Sequence, residues 1–138
     1  MQKTPPPFEP TSELERLLAD AQHGRLPAAD LMNALLTSQV YVLGDRDLLP
    51  DGSWDEATAL LMLADPAGTP MLAMFTTPER ATDWLDYYPQ YTFGRHARFE
   101  WLVTSASADS GVVVNPGSAV GWEISPVGVG RLKEQIIA

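Results

Sequence analysis

The strongest hydrophobic pattern in the chain is the run Gly111–Val114, in which three consecutive valines predict a strand buried on both faces. Residues 115–118, with the sequence Asn-Pro-Gly-Ser, follow directly and predict a turn or loop. Residues 122–124 predict a second short extended piece. We therefore expect a core strand that leads into an exposed polar loop, with the rest of the chain covering that strand.

Near the start of the chain, the pattern predicts two amphipathic helices. Ser12 and Glu15 have the spacing of a capping box, in which the two residues cap the first turn reciprocally. Apolar residues at positions 14, 17, 18 and 21 then mark one helix face. Gly24 can end this helix and Pro27 can occupy the first turn of the next one. The sequence therefore predicts an N-terminal helical hairpin.

The next part of the chain predicts strands. Val40–Leu43 is typical of a strand, and the acidic segment Gly44–Glu56 that follows is most simply a loop. Leu60–Ala64 and Met71–Phe75 are apolar runs separated by a connection rich in Pro, Gly and Asp. This arrangement predicts a β-hairpin.

The second half mixes helices with short extended pieces. Residues 77–79, Thr-Pro-Glu, predict a helix start, and Pro89 is expected to stop that helix. Residues 91–93 predict a short strand or link, residues 99–106 share a helical apolar face, and residues 125–126 begin a terminal helix. About five helices and five strands favour an α+β fold with a mixed or antiparallel sheet.

Composition narrows the class of protein. The chain has 138 residues, 45% of them hydrophobic, which suits one domain with a substantial core. Its net charge of -9 disfavours binding to nucleic acid or to anionic membrane surfaces. No signal peptide or membrane-spanning run is visible, so we expect a cytoplasmic protein with no membrane insertion. Residues 1–11 are proline-rich and predict a mobile lead-in, and residues 12–138 predict a single domain.

The sequence offers little support for catalysis or metal binding. Cysteine is absent, which excludes disulfides, thiolate ligands and thiol nucleophiles. The two histidines, His23 and His96, lie on separate segments. The acidic loop that starts at Asp47 does not match a calcium loop, because position 12 is Thr58 where a glutamate is needed. We therefore predict no enzyme activity, no catalytic residue, no cofactor and no metal site.

An aromatic block provides one candidate partner surface, formed by Trp84, Tyr87, Tyr88 and Tyr91. The favoured interpretation is that Trp84 and one tyrosine pack beneath the sheet. The alternative is that the block stays half exposed and contacts another protein, since Trp and Tyr are enriched at binding hot spots.

A candidate ligand loop is formed by Thr76, Arg80, Asn115 and Ser118. Asn and Ser are ordinary turn residues, and Arg80 is expected to pair with a nearby acid such as Asp83 or Asp86, as Arg95 and Arg98 are with their own neighbours. The alternative is a small anion or metabolite bound at the polar loop that follows the buried strand.

Several segments resemble the N-terminal domain of the SseB family, which is named for enhanced serine sensitivity protein B. Residues 11–15 (Thr-Ser-Glu-Leu-Glu) and 38–42 (Ser-Gln-Val-Tyr-Val) resemble its opening. Residues 71–79 (Met-Leu-Ala-Met-Phe-Thr-Thr-Pro-Glu) are similar to its apolar strand, Phe-Thr-Ser and helix. Residues 111–118 (Gly-Val-Val-Val-Asn-Pro-Gly-Ser) are similar to its apolar run that ends in Asn-Pro.

The resemblance extends from about Phe8 to Ile124 and implies a bacterial α+β domain with no catalytic residues to carry over. Longer relatives carry a further C-terminal domain, which we expect this chain, ending at Ala138, to lack. Some relatives are associated with secretion or toxin-related contexts, which points to protein contacts. We therefore expect a non-enzymatic module that binds another protein or itself; the alternatives are a binding domain for a small anion or metabolite and, third, a hydrolase.

Overall fold

The computed structural model describes residues 12–137, which form five helices and six strands. The proline-rich lead-in predicted at residues 1–11 lies outside this range. The helices are α1 (Glu13–Gln22), α2 (Ala28–Leu36), α3 (Pro78–Tyr87), α4 (Phe99–Ser105) and α5 (Pro126–Ile137). The strands are β1 (Gln39–Gly44), β2 (Met62–Ala64), β3 (Pro70–Met74), β4 (Phe93–Arg98), β5 (Gly111–Val114) and β6 (Trp122–Ile124).

The strands form two sheets that meet at two isolated bridges, Tyr41–Phe75 and Gly44–Leu60. β1 and β4 pair antiparallel, and the larger sheet has the order β2-β3-β5-β6. Only β3 and β5 run parallel in the larger sheet, so it is mixed, and the expected α+β class is confirmed. Reciprocal backbone bonds of 2.7 and 2.8 Å between Tyr41 and Phe75 join β1 to the residue that follows β3.

The valine strand is a central strand of the larger sheet, between β3 and β6. Val112 and Val114 are fully buried on one face, whereas Val113, on the other face, is half-buried. The predicted core strand is therefore confirmed. Its valine side chains are fully buried on one face of the sheet and half-buried on the other.

The two faces of the sheets carry separate clusters of buried side chains. Helices α1, α2, α4 and α5 contribute to the larger cluster, and α3 to the smaller one. The larger cluster includes Leu18, Leu31, Leu35, Val42, Met74, Phe99, Val112 and Leu132. The smaller cluster contains Leu43, Leu61, Ala73, Phe75 and Ala81. None of the helices within residues 12–137 has the length and apolarity needed to cross a bilayer.

The hairpin of β2 and β3 and the N-terminal helix pair follow the predicted pattern. Of the predicted capping box, only the hydrogen bond to the Ser12 side chain is observed. The Ser12 side chain accepts a hydrogen bond from the Glu15 backbone N–H at 3.2 Å, but the Glu15 carboxylate is fully buried and turned to other partners. Residues 91–93 were expected to be a short strand or link, but the strand here is β4, which runs further along the chain and is longer.

Candidate functional site

Three of the four residues in the predicted ligand loop converge where β3 and β5 end. Because these strands are parallel, the residues that follow them, Thr76 and Asn115, lie side by side. The Asn115 side chain accepts a hydrogen bond from the Thr76 backbone N–H at 2.9 Å and donates one to the Thr76 hydroxyl at 2.9 Å. Asn115 has a φ of 53°, a left-handed conformation that asparagine tolerates better than most residues. The two side chains therefore satisfy each other at the end of the sheet.

Arg80 reaches this point from the first turn of α3. Its Nε and Nη2 atoms donate to the two carboxylate oxygens of Glu15 at 2.8 and 3.0 Å, and the Thr76 hydroxyl donates to the same carboxylate. The hydrogen bonds with Glu15 raise the pKa of Arg80 above its ordinary value. The expected pairing of Arg80 with Asp83 or Asp86 is wrong, because the partner is an acid 65 residues away in sequence.

The loop between β5 and β6 is held from two helices. The indole N–H of Trp84 on α3 donates to the carbonyl of Pro116 at 2.9 Å. The side chain of Gln22 on α1 donates to the Ala119 carbonyl at 2.8 Å and accepts from the Gly121 N–H at 2.9 Å. The loop is therefore anchored to the rest of the fold near both ends and in its middle.

Ser118, the fourth residue of the predicted ligand loop, lines a surface cleft of about 550 Å³ between this loop and α3. We call this the loop cleft; its lining residues are Arg80, Asp83, Trp84, Asp86, Tyr87, Pro116, Gly117 and Ser118. Two carboxylates face it, and the charge of Arg80 is balanced by Glu15. The loop cleft therefore lacks the excess of positive charge that would attract an anion.

The predicted aromatic block divides into two parts. Trp84, Tyr88 and Tyr91 are half-buried and pack against the smaller core cluster. Tyr87, in contrast, is 76% exposed. Trp84 and two tyrosines, where one was expected, therefore pack partly against the core, and Tyr87 is the most exposed member of the block.

A larger exposed apolar site lies elsewhere, between the long acidic loop, β2 and α4. Trp54 of the loop and Trp101 of α4 pack with ring centroids 4.9 Å apart and an interplanar angle of 60°. Trp101 is 46% exposed and Met62 is 39% exposed. We call this site, of about 640 Å³, the tryptophan groove; its apolar lining is Trp54, Ala59, Leu60, Met62, Leu72, Trp101, Leu102 and Ala106.

The loop that carries Trp54 is held by charged groups. The guanidinium of Arg95 stacks 4.5 Å from the centre of the Trp54 ring and donates to the backbone carbonyl of Arg46. Arg46 in turn pairs with Asp45 and Asp55 at 3.6 and 3.7 Å. Trp54 is therefore supported by Arg95 as well as by Trp101, so the pair presents a preformed surface.

The sequence interpretation missed the tryptophan groove. Trp54 stands alone in a polar loop, and Trp101 falls outside the apolar stripe of its helix, which consists of Phe99, Leu102, Val103 and Ala106. That position was the available signal, because a tryptophan on the solvent side of an amphipathic helix is a large exposed apolar group.

Side chains able to hold a metal do not gather in the part of the chain that the structure describes. No three His, Asp or Glu residues among positions 12–137 lie close enough to share an ion. His23 bonds the carbonyl of Ala19 at the end of α1, and His96 packs edge-on against Tyr41 in the small sheet.

Residues 14–130 match the family model of the SseB protein N-terminal domain. The matched segment begins in α1 and ends in α5, so it contains every strand described above. No curated protein and no solved structure matches the chain.

Proposed function

This chain belongs to the SseB N-terminal domain family, and we propose that it is a non-enzymatic module that binds another protein through the tryptophan groove. The observation that carries the proposal is the exposure of Trp101 and Met62, which both line the same largely apolar groove. Contiguous exposed apolar side chains are typical of interaction sites, and tryptophan is enriched among residues that dominate binding energy.

The support behind Trp54 adds to this argument. Association is weakened whenever side chains must become ordered at the interface. Trp54 already contacts both Arg95 and Trp101, so little order remains to be gained on binding. This favours the tryptophan groove over the aromatic block, where Trp84 already donates its indole N–H to Pro116 within the fold.

Charge favours a partner other than a second copy of the chain. Asp55 and Glu56 line the tryptophan groove, and no Lys or Arg among residues 12–137 does. The whole chain carries a net charge of -9. Two such grooves brought face to face would repel each other, whereas a basic partner would be attracted.

Affinity purification from the native cell tests the proposal. The bait is used as the unaltered chain, as Trp101→Ala and as Tyr87→Ala, which removes an exposed aromatic from a different surface. We expect the same partner to be enriched by the unaltered and Tyr87→Ala baits and to be lost from the Trp101→Ala bait. Equal enrichment by all three baits would rule out the groove as the contact surface.

We also propose the cellular compartment and the kind of system in which the protein acts. We propose a bacterial cytoplasmic protein, in keeping with the acidic, cysteine-free composition. A link to secretion or toxin-related systems is supported by the family resemblance alone.

A second candidate function is the binding of a small molecule in the loop cleft, which is favoured by the fixed shape of its loop. The two aspartates and the balanced Arg80 favour a neutral or cationic compound over an anion. A thermal-shift screen tests this, because a ligand at a hundred times its Kd adds about 2.7 kcal/mol to the free energy of unfolding. A flat response across amino acids, amines and acidic metabolites would argue against it.

A further inference from the structure

We infer that the tryptophan groove recognises a proline-rich segment in the polyproline II conformation, with a Lys or Arg beside the prolines. This inference rests on the proposed function, since it names the chemistry of the partner that the groove would bind.

The first argument is the shape of the surface. Trp54 and Trp101 line the tryptophan groove on one side and a second cleft, of about 590 Å³, on the other. The second cleft is also lined by Ala97 and Ile136 and by the polar side chains of Gln39, His96, Arg98, Glu100 and Thr104. The tryptophan pair is therefore a ridge between two depressions.

A polyproline II segment has a repeat that suits such a ridge. It turns once every three residues with a rise of about 3.1 Å per residue, so residues i and i+3 point the same way about 9 Å apart. A segment with prolines at these two positions can place one ring in each depression while its backbone crosses the ridge. An amphipathic helix, in contrast, needs one continuous apolar groove, and the second cleft is lined mostly by polar side chains.

The second argument is hydrogen bonding. Neither Trp54 nor Trp101 donates its indole N–H to another residue within positions 12–137, whereas Trp84 donates to Pro116. The indole nitrogen is a donor only. A polyproline II segment makes no internal hydrogen bonds and leaves its backbone carbonyls available as acceptors. The indole N–H groups of Trp54 and Trp101 can therefore donate hydrogen bonds to the backbone carbonyls of such a segment.

The third argument is charge. Of the two acids at the tryptophan groove, Asp55 already pairs with Arg46, whereas Glu56 is exposed and forms no ion pair with a residue of the described chain. Glu56 is therefore the group best placed to meet a cation on the ligand. The chain's own proline-rich lead-in, residues 1–11, carries both Lys3 and Glu9, whose charges cancel, so it has no excess of positive charge to be attracted by this acidic rim. We therefore assign the site to a basic segment of a partner.

Fluorescence anisotropy with synthetic peptides tests the inference. The probe is a labelled peptide of repeated Pro-Pro-Ala-Pro with arginine at one end. One control peptide replaces every proline by glycine, which removes the preformed helix, and another replaces arginine by glutamate. We expect the probe to bind the full chain and both control peptides to bind at least about tenfold more weakly, a difference of about 1.4 kcal/mol.

Variants of the chain identify the surface. We expect Trp101→Ala to weaken probe binding about tenfold or more, as loss of a hot-spot tryptophan does. Trp101→Phe keeps an aromatic ring but removes the N–H donor, and we expect it to weaken binding less. Glu56→Gln should weaken binding and reduce its dependence on salt. Tyr87→Ala, the matched control, should bind like the unaltered chain.

The outcomes separate this inference from the proposed function. If the probe fails to bind, or binds as well as its glycine control, while Trp101 is still needed to capture the cellular partner, the polyproline inference is wrong and the groove remains a protein-binding site. If Trp101→Ala changes neither peptide binding nor partner capture, both the inference and the proposed function are wrong.

Discussion

The carboxylate of Glu15 on α1 accepts two hydrogen bonds from the guanidinium of Arg80 on α3, with distances of 2.8 and 3.0 Å. Glu15 is fully buried, and the Arg80 side chain is 22% exposed. α1 packs with the larger core cluster and α3 with the smaller one. The ion pair therefore ties together helices that belong to opposite faces of the sheet.

Removing the arginine should destabilise the fold strongly. In Arg80→Met the Glu15 carboxylate would remain buried without its main counter-charge, and we expect the free energy of unfolding to fall by about 3 kcal/mol. Urea denaturation measures this change. The matched control is Arg16→Met, which breaks the exposed Arg16–Glu13 pair on α1, the helix that carries Glu15. This variant should change the free energy of unfolding by less than about 0.5 kcal/mol. Similar losses in the two variants would mean that the buried pair contributes no more than a surface one.

Two aromatics in the same helix should respond differently to truncation. Trp84→Ala removes a half-buried ring and its hydrogen bond to Pro116, so we expect a loss of about 3 kcal/mol. Tyr87→Ala removes a side chain that is 76% exposed, so we expect a change of less than about 0.5 kcal/mol. Thermal unfolding of both variants checks the prediction. A stable Trp84→Ala protein would return Trp84 to the list of candidate partner residues.

Gly117 is predicted to be needed both for its backbone conformation and for its lack of a side chain. Its φ is +79°, and an added Cβ would lie 3.2 Å from the Trp84 ring. Gly68, in the β2–β3 connection, has a φ of +86° but open space around the Cβ position. We expect Gly68→Ala to cost about 1 kcal/mol from backbone strain alone, and Gly117→Ala to cost more and to change tryptophan fluorescence.

Comparing the two glycine variants by urea denaturation isolates the contact with Trp84. Equal losses of stability, with no change in the fluorescence of the folded Gly117→Ala protein, would mean that the loop moves away from Trp84 without cost. In that case the loop cleft would not have the fixed shape described here.

A pH-dependent contribution is predicted in the acidic loop. Hydrogen bonds from the hydroxyl and then from the backbone N–H of Ser53 hold the pKa of Asp51 below its ordinary value of 3.8. A pKa that is lower in the folded chain means that the ionised carboxylate stabilises the fold above pH 3.8, and that this contribution is lost as the pH falls through the folded-state value.

Ser53→Ala tests this assignment. The variant removes the larger cause, so the pKa of Asp51 should rise part of the way towards 3.8, with the backbone bond still in place. Carboxyl chemical shifts followed by NMR through the acid range measure the pKa directly. An unchanged pKa in Ser53→Ala would contradict the role given to the serine hydroxyl.

Local patterns in the sequence predicted most elements of the fold because their signals lie within a few residues. The β2–β3 hairpin and the buried Val112 and Val114 are examples. β4 was harder to predict, because it pairs with β1 alone and its side chains are mostly polar or exposed. A strand of that kind shows no regular alternation of apolar residues.

The candidate sites depend on contacts between residues that are far apart in sequence. Local sequence patterns do not show such contacts, so the sites could be predicted only in part. Thr76 and Asn115 were grouped correctly, since each follows an apolar strand. Glu15 was interpreted from its neighbours alone as a capping residue, but its carboxylate meets Arg80, 65 positions away. Trp54 and Trp101 were each unremarkable in their own segments, and only the fold places their rings 4.9 Å apart.

The position of β5 within the sheet has a consequence for synthesis of the chain. Until residues 111–114 have left the ribosome, β3 is paired with β2 on one edge and lacks its parallel neighbour on the other. A chain interrupted before that point would carry the apolar strand Met71–Met74 with an unpaired edge, which is a template for aggregation. We therefore expect the nascent chain of this protein to be prone to aggregation through the edge of β3 until β5 has been made.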